Sequence, residues 1–217
     1  MKIFQARYGR SAGAFSVVAL AALALFLDAP AAPCEILLNE ILAAPSVDWD
    51  GDGAYSSRND EWVEIVNVGT ASVDFSQFLL SDADSTIRFQ FQGVLASEGH
   101  VLVYGSGAVA WQQDQGRPVT GLSFNNSGDT VRLWQILGSD TVMVDAYQYK
   151  SHEATAERSS ARQPDGGAWA LFDALNPYSG SQEPPGTGCQ PTPGETNECS
   201  ATPTNQMSWG RVKRVYR

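Results

Sequence analysis

Residues 48–67 read DWDGDGAYSSRNDEWVEIVN, and the reading of this stretch decides the fold. The first half sets Asp48, Asp50 and Asp52 at alternate positions, with Gly51 and Gly53 between and after them. The second half, from Glu61 to Val66, alternates acidic or aromatic side chains with aliphatic ones, the period-2 pattern of a half-buried strand. An acidic, glycine-bearing loop therefore runs straight into a core strand.

The flanks carry the same signal. On the N-terminal side, residues 35–42 (EILLNEIL) form a short apolar run ended by Ala43-Ala44-Pro45, which favours a strand over a helix. On the C-terminal side, Val68-Gly69-Thr70 makes a turn and residues 71–82 give two further short strands. Residues 86–91 (TIRFQF) put Ile87, Phe89 and Phe91 on one face and Arg88 and Gln90 on the other. Residues 101–104 form a compact apolar strand, and residues 105–121, with Gly, Gln, Asp, Pro and a single Trp111, read as a long loop.

A strong turn at residues 125–129 leads into a hairpin, 130–136 and 141–149, around Leu137-Gly138-Ser139-Asp140. On its second arm Val142, Val144, Ala146 and Gln148 share one face, and Met143, Asp145, Tyr147 and Tyr149 the other. Residues 157–162 (ERSSAR) read as an edge strand, residues 169–172 as a short aromatic piece covering one end of the core, and residues 176–197 as loop. The sum is eight to nine short strands with turns about every 8–12 residues, an all-β sandwich or barrel. A parallel α/β fold is excluded because no helical pattern separates the strands.

Residues 1–31 have the layout of a secretory signal peptide: basic Lys2, Arg7 and Arg10, an apolar run over 14–27, then Ala29-Pro30-Ala31-Ala32, with cleavage expected after Ala31. The apolar run is shorter than the roughly 20 residues that span a bilayer, so the mature chain is expected to have no transmembrane segment. Lipidation at Cys34 is disfavoured by Pro33 directly before it. Export places the protein outside the cell, on its surface or in the periplasm. The full chain carries a formal charge of −10; without the leader, 11 basic and 23 acidic residues leave −12. That balance argues against nucleic acid as a partner and for cations. Cys189 and Cys199 flank a Pro/Thr/Gly-rich segment and are spaced to close a loop in an oxidising compartment; the alternative pairs Cys34 with one of them.

Several pieces, in order, resemble the lamin-tail domain family in its bacterial exported form. They are LLNEILAAP at 37–45, the DGDG…DEWVEIVN ending at Asn67, VDFSQFLLSD at 73–82 and VLVYG at 101–105, then LSFNNSGDTVRLW at 122–134, VDAYQY at 144–149, ERSSARQPDG at 157–166 and PTPGETN at 191–197. The resemblance covers residues 35–197 and implies an immunoglobulin-like β-sandwich serving as a binding or attachment module, with no catalytic residues to carry over. Asn39-Glu40 and Glu64…Asn67 match the family's NE and E-x-x-N pieces on paired early strands, which implies a structural role. The 105–121 loop, the late cysteine pair and the basic C-terminus depart from a minimal member.

The acidic loop is the best local site. Asp48, Asp50, Asp52, the carbonyl of Ala54, Asp60 and Glu61 have the oxygen chemistry and spacing to wrap a calcium ion, with Ser56 able to contribute directly or through water. An EF-hand would want Glu at the twelfth position, where Asn59 stands. Nothing suggests a phosphate substrate that would favour magnesium.

Catalysis finds little support. His100 and His152 lie in turn-like contexts with no thiol beside them, and no serine sits in a nucleophile elbow. The cysteines and histidines lack zinc spacing. A carboxylate pair such as Glu64 and Asp145 has the groups of a glycosidase, but outward strand carboxylates are more often solvated.

Trp62, Trp134 and Trp169 are assigned to the core, whereas Tyr104 and Trp111 are the aromatics left to contact a ligand. Asn125-Asn126-Ser127 matches a glycosylation sequon. Residues 198–217 read as a linker and a basic tail, with Trp209, Arg211, Lys213, Arg214 and Arg217 suited to an acidic surface or to anionic envelope material.

The leading expectation is an exported non-catalytic module that binds an extracellular or envelope protein or glycan. A calcium-dependent carbohydrate-binding module is the alternative, and an unrecognised hydrolase the remote one.

Overall fold

In the computed structural model, which describes residues 35–199, the run after Glu35 forms β1 (Ile36–Leu42) and the stretch after the acidic loop forms β2 (Trp62–Asn67). The expected leader, Cys34 and the basic tail lie outside the described residues. The next elements are β3 (Val73–Asp74), a 3-10 turn (Phe75–Gln77), β4 (Phe78–Ser81), β5 (Ile87–Gln90), β6 (Val94–Leu95) and β7 (His100–Tyr104). A helix, α1 (Gly105–Asp114), precedes the long hairpin of β8 (Gly128–Leu137) and β9 (Asp140–Lys150), and β10 (Ser159–Gln163) and β11 (Ala168–Phe172) follow.

The strands form a five-stranded sheet in the order β11-β10-β1-β2-β7, a four-stranded sheet β5-β4-β8-β9 and a small β3-β6 ladder, with antiparallel pairing throughout. The core lies between the two large sheets. Ile36, Leu38, Ile41, Val63 and Ile65 on one side meet Phe78, Leu80, Val131 and Leu133 on the other, with Phe75 and Phe91 closing the packing. Each such side chain contributes about 1.5–3 kcal/mol when fully buried. Arg162 on β10 donates to Asp145 of β9 at 3.1 Å, and the Leu38 amide donates to the same carboxylate at 3.0 Å, tying the sheets together at their margin.

Four expectations need correction. Eleven strands are present among the described residues, more than the eight or nine read from the pattern, because β3 and β6 are only two residues each. The 105–121 segment is not all loop, since its first ten residues are α1. Its anchor is polar: Gln112 is 1% exposed, its amide donates to the carbonyls of Arg88 (3.0 Å) and Gly121 (2.9 Å), and its oxygen accepts from Thr120 and Gly121. Hydrophobic periodicity is blind to a helix docked by a glutamine. Gly105 is required where α1 begins, because a Cβ there would stand 1.8 Å from the Arg58 carbonyl.

ERSSAR is no edge strand. Its β10 segment lies between β1 and β11, and the edge is β11, where Trp169 stacks on Tyr147 with centroids 3.7 Å apart. Finally, a bulge between Leu133 and Trp134 shifts the hairpin register, so Met143 is exposed while Asp145, Tyr147 and Tyr149 keep the inward face and Val144 packs against the core.

Candidate cation site and the buried polar face

The acidic loop folds around Asp60. This carboxylate is fully buried; one oxygen accepts the amides of Trp49 (2.6 Å) and Asp50 (3.0 Å), and the other accepts the amide of Ser56 (2.7 Å). Asp48 accepts the amides of Gly51 and Gly53, and Gly53 holds φ +92°, a conformation that a side chain would strain. Trp49 packs edge-on against buried Trp62 of β2 at 5.9 Å and donates from Nε1 to Glu157 at 3.0 Å, so the loop is fastened over one end of the five-stranded sheet.

The structure brings together part of the expected ligand set. Oxygens of Asp48, Asp50 and Asp60 lie within 4.8 Å of one another. Asp50 Oδ1 accepts from Asp52, while Oδ2 is buried without a hydrogen-bond partner. Asp52 is exposed and accepts the amide of Ala54, outside this group.

Glu61 departs from the expectation outright. As the residue before β2 it turns to the opposite side and accepts the Phe124 amide at 3.2 Å, and burial pushes its carboxyl up to about 8. Tyr104 is half-buried beside the loop, and burial together with the charges of Asp50 and Asp60 raises its phenol. Trp111 is half-buried on α1, 6.0 Å from Phe89, with the Arg117 guanidinium over its ring at 5.1 Å.

The second polar assembly covers the outer face of the five-stranded sheet, away from the core. A bulge in β1 between Leu38 and Glu40 leaves Asn39 outside the ladder and turns both Asn39 and Glu40 outward. Asn39 donates to Glu64 and to Asp165, each at 2.8 Å. Glu40 accepts from Ser159 and from the amide (3.2 Å) and hydroxyl (2.9 Å) of Thr192, and Glu64 accepts the Gly194 amide at 2.6 Å. Asn197 donates to the carbonyls of Asn39 and Arg162.

The PTPGETN piece is thus buckled onto the sheet by carboxylates. The Cys189–Cys199 disulfide is formed and packs with Ala161 and Phe172 at its margin. Glu40 and Glu64 are direct cross-strand partners. Burial pushes Glu40 up to about 8 against its hydrogen bonds from Ser159 and Thr192, with Glu64 adding to the rise, and burial raises Glu64 as well. The reading of Glu64 as a solvated strand carboxylate is overturned: a covering segment that no strand pattern reveals seals it completely. It does not meet Asp145, which reaches from β9 to Leu38 and Arg162. His100 Nε2 sits 3.0 Å from Asp165, and the His152 ring lies 5.1 Å from that of Tyr178.

The NE and E-x-x-N positions therefore pair as the two central strands, with Asn39 bound to Glu64 and Asn67 placed opposite Ile36. The family model of the lamin tail domain matches residues 29–151, more than half of the chain. The chain belongs to the lamin tail domain family. The family's immunoglobulin-like architecture agrees with the sandwich described above. The lamin tail domain model ends before β10 and β11, yet β10 pairs with β1, so the five-stranded sheet is completed by residues beyond the matched segment. No curated protein and no solved structure matches the chain. Among the described residues no helix is long and apolar enough to cross a membrane.

Proposed function

We propose that this lamin tail domain is an exported, non-catalytic attachment module whose acidic loop is ordered by calcium. The single observation that carries the calcium reading is the convergence of Asp48, Asp50 and Asp60 with a buried, unpartnered oxygen on Asp50. A carboxylate oxygen removed from water and left without a donor is costly, and a hard cation offsets that cost. Carbonyls and water complete the sphere. The ion quiets the repulsion among three carboxylates and fixes the loop that leads into β2.

The non-catalytic reading is supported by what the buried carboxylates do. Glu40, Glu64, Asp60 and Asp165 are each engaged by amides or side chains that hold covering segments in place. The disulfide suits an oxidising, exported setting. The partner is an extracellular or envelope protein or glycan.

Calorimetric titration of chelator-treated protein with calcium chloride tests the ion. Heat release with a rise in Tm is expected; no heat and no thermal shift at millimolar calcium would sink this reading. A glycan array run with and without calcium tests a sugar partner, for which Arg117 would have to leave the Trp111 ring.

A further inference from the structure

A polar hollow of about 460 Å3 lies between residues 57–61, which lead into β2, and residues 123–126, which lead into β8. Ser57, Arg58, Glu61, Ser123, Asn125 and Asn126 line it. Its size falls within the about 300–1,000 Å3 of small-molecule sites. The aromatic residue in its wall, Phe124, is 6% exposed, so the hollow offers hydroxyls, amides and charge rather than apolar surface.

Arg58 is the unspent cation of this wall. Among the described residues, every other arginine is engaged. Arg88 donates to Asp82 and Thr120, Arg132 to the Asp82 carbonyl, Arg158 to the Asn176 carbonyl and Arg162 to Asp145, and Arg117 lies over the Trp111 ring. Arg58 alone has no hydrogen bond, ion pair or ring partner among them. Yet the fold makes room for it twice. A Cβ at Gly105 would strike the Arg58 carbonyl, and a Cβ at Gly121, where φ is +68°, would stand 2.9 Å from Arg58 Cγ. The backbone on which Arg58 sits is pinned to the start of α1, because the Asn59 carbonyl accepts the Ser106 amide at 3.0 Å and the Glu61 carbonyl accepts the Gly105 amide at 2.7 Å. A guanidinium seated this way keeps its planar fork of donors for a ligand.

The chemistry of that ligand follows from the rest of the wall. Glu61 is 5% exposed, and because burial pushes its carboxyl up to about 8 it does not cancel Arg58 at neutral pH. One guanidinium balances one carboxylate, whereas a phosphate dianion would need a second cation. Ser57 and Asn126 are exposed and make no side-chain hydrogen bond among the described residues, so a hydroxyl and a carboxamide stand ready beside the cation. Hydroxyls carried on the same molecule as the carboxylate match them, and an apolar peptide side chain does not. The formal charge of −10 repels a long polyanion, which limits the fit to a single acidic unit.

We propose that this hollow binds one uronate unit of a glycan, with Arg58 paired to its carboxylate and Ser57 and Asn126 bonded to its ring hydroxyls. The proposal rests on the reading of the domain as an attachment module with a glycan partner, and it places the contact at Arg58 rather than at Trp111.

The test is an NMR titration of the isotope-labelled full chain, following the amides of residues 57–61 and 123–126. The probe is methyl β-glucuronide, set against methyl β-glucoside, which lacks the carboxylate, and Nα-acetyl-glutamate methylamide, which carries a carboxylate on a peptide. Saturable shifts with the glucuronide, none with the glucoside and weaker ones with the glutamate support the site. Arg58→Gln breaks no bond inside the fold, so Tm is expected to hold while glucuronide binding weakens about tenfold or more. Asn126→Ala, also without an internal partner, is expected to weaken it about threefold. The proposal is overturned if the glucuronide causes no saturable shift at tens of millimolar, if the glucoside shifts the same amides equally, if the glutamate binds as tightly as the glucuronide, or if Arg58→Gln binds as well as the parent. A glycan array that retains neutral sugars while these amides stay unmoved sinks this site and leaves the attachment reading standing.

Discussion

The two faces of the five-stranded sheet are equally buried and chemically opposite. Toward the core, Ile36, Leu38, Ile41, Val63 and Ile65 meet the second sheet through shape alone. Away from the core, Asn39, Glu40 and Glu64 meet an irregular segment through directed hydrogen bonds, with Ser159 donating to Glu40 from the neighbouring strand. A regular sheet satisfies its own backbone and can be covered by apolar contact. Residues 191–197 have no regular partner strand, so their amides need acceptors, and the buried carboxylates supply them. The polar face thus specifies which segment covers the sheet, and the apolar face supplies most of the stability.

That contrast can be broken experimentally, most strongly on the apolar side. Leu38→Ala opens a cavity in the centre of the core and is expected to cost about 2–5 kcal/mol in urea unfolding, with no change in pH profile. Replacing Cys189 and Cys199 with serine releases the covering segment and is expected to cost about 2–3 kcal/mol by the chain-entropy relation for a loop of this size. Hydrogen exchange should rise first at the amides of Thr192 and Gly194 rather than in the core strands. Asn39→Ala removes the bridge between Glu64 and Asp165 and is expected to cost about 1–3 kcal/mol, again with loss of protection at the covering segment.

Titration separates the faces more finely. Glu40 is raised to about 8 in the folded chain, from an ordinary value of 4.5. Between those values the folded chain keeps a proton that the unfolded chain has released. The stabilisation is therefore complete below about pH 4.5 and is lost as pH rises through about 8. Glu40→Gln, which imitates the neutral acid, should flatten unfolding free energy measured from pH 5 to 9, leaving a shallower slope from Glu64 and Glu61, which are raised in the same direction. If the slope is unchanged, Glu40 is ionised in the fold.

The smallest expected effect lies at the loop. Asp50→Asn should weaken calcium binding by about tenfold or more, whereas Asp52→Asn, outside the converging group, should change it by less than about threefold. Equal losses would mean that the loop rearranges to recruit Asp52.

Much of this architecture was legible because it rests on local pattern. The strands at Ile36–Leu42, Trp62–Asn67 and His100–Tyr104 show as apolar runs, and the β8–β9 hairpin as two alternating arms around Gly138 and Ser139. The alternate spacing of Asp48, Asp50 and Asp52 marked the loop, of which Asp48 and Asp50 converge with Asp60, and the Cys189–Cys199 pair was one of two pairings left open. Where the sequence reading failed, long-range polar contact decided the outcome. Helix α1 is docked by Gln112 onto carbonyls of Arg88 and Gly121, and Arg88 is buried because Asp82 and Thr120 receive it.

Periodicity in this chain determined which strand residues avoid water, and so an all-β sandwich or barrel with an acidic loop running into a core strand. Only the tertiary structure decided that Glu64 is sealed while Asp52 is solvated, and that Glu61 leaves its acidic neighbours for the Phe124 amide. A carboxylate's fate depends on which donors reach it, and here those donors lie 63 residues away for Glu61 and 130 for Glu64.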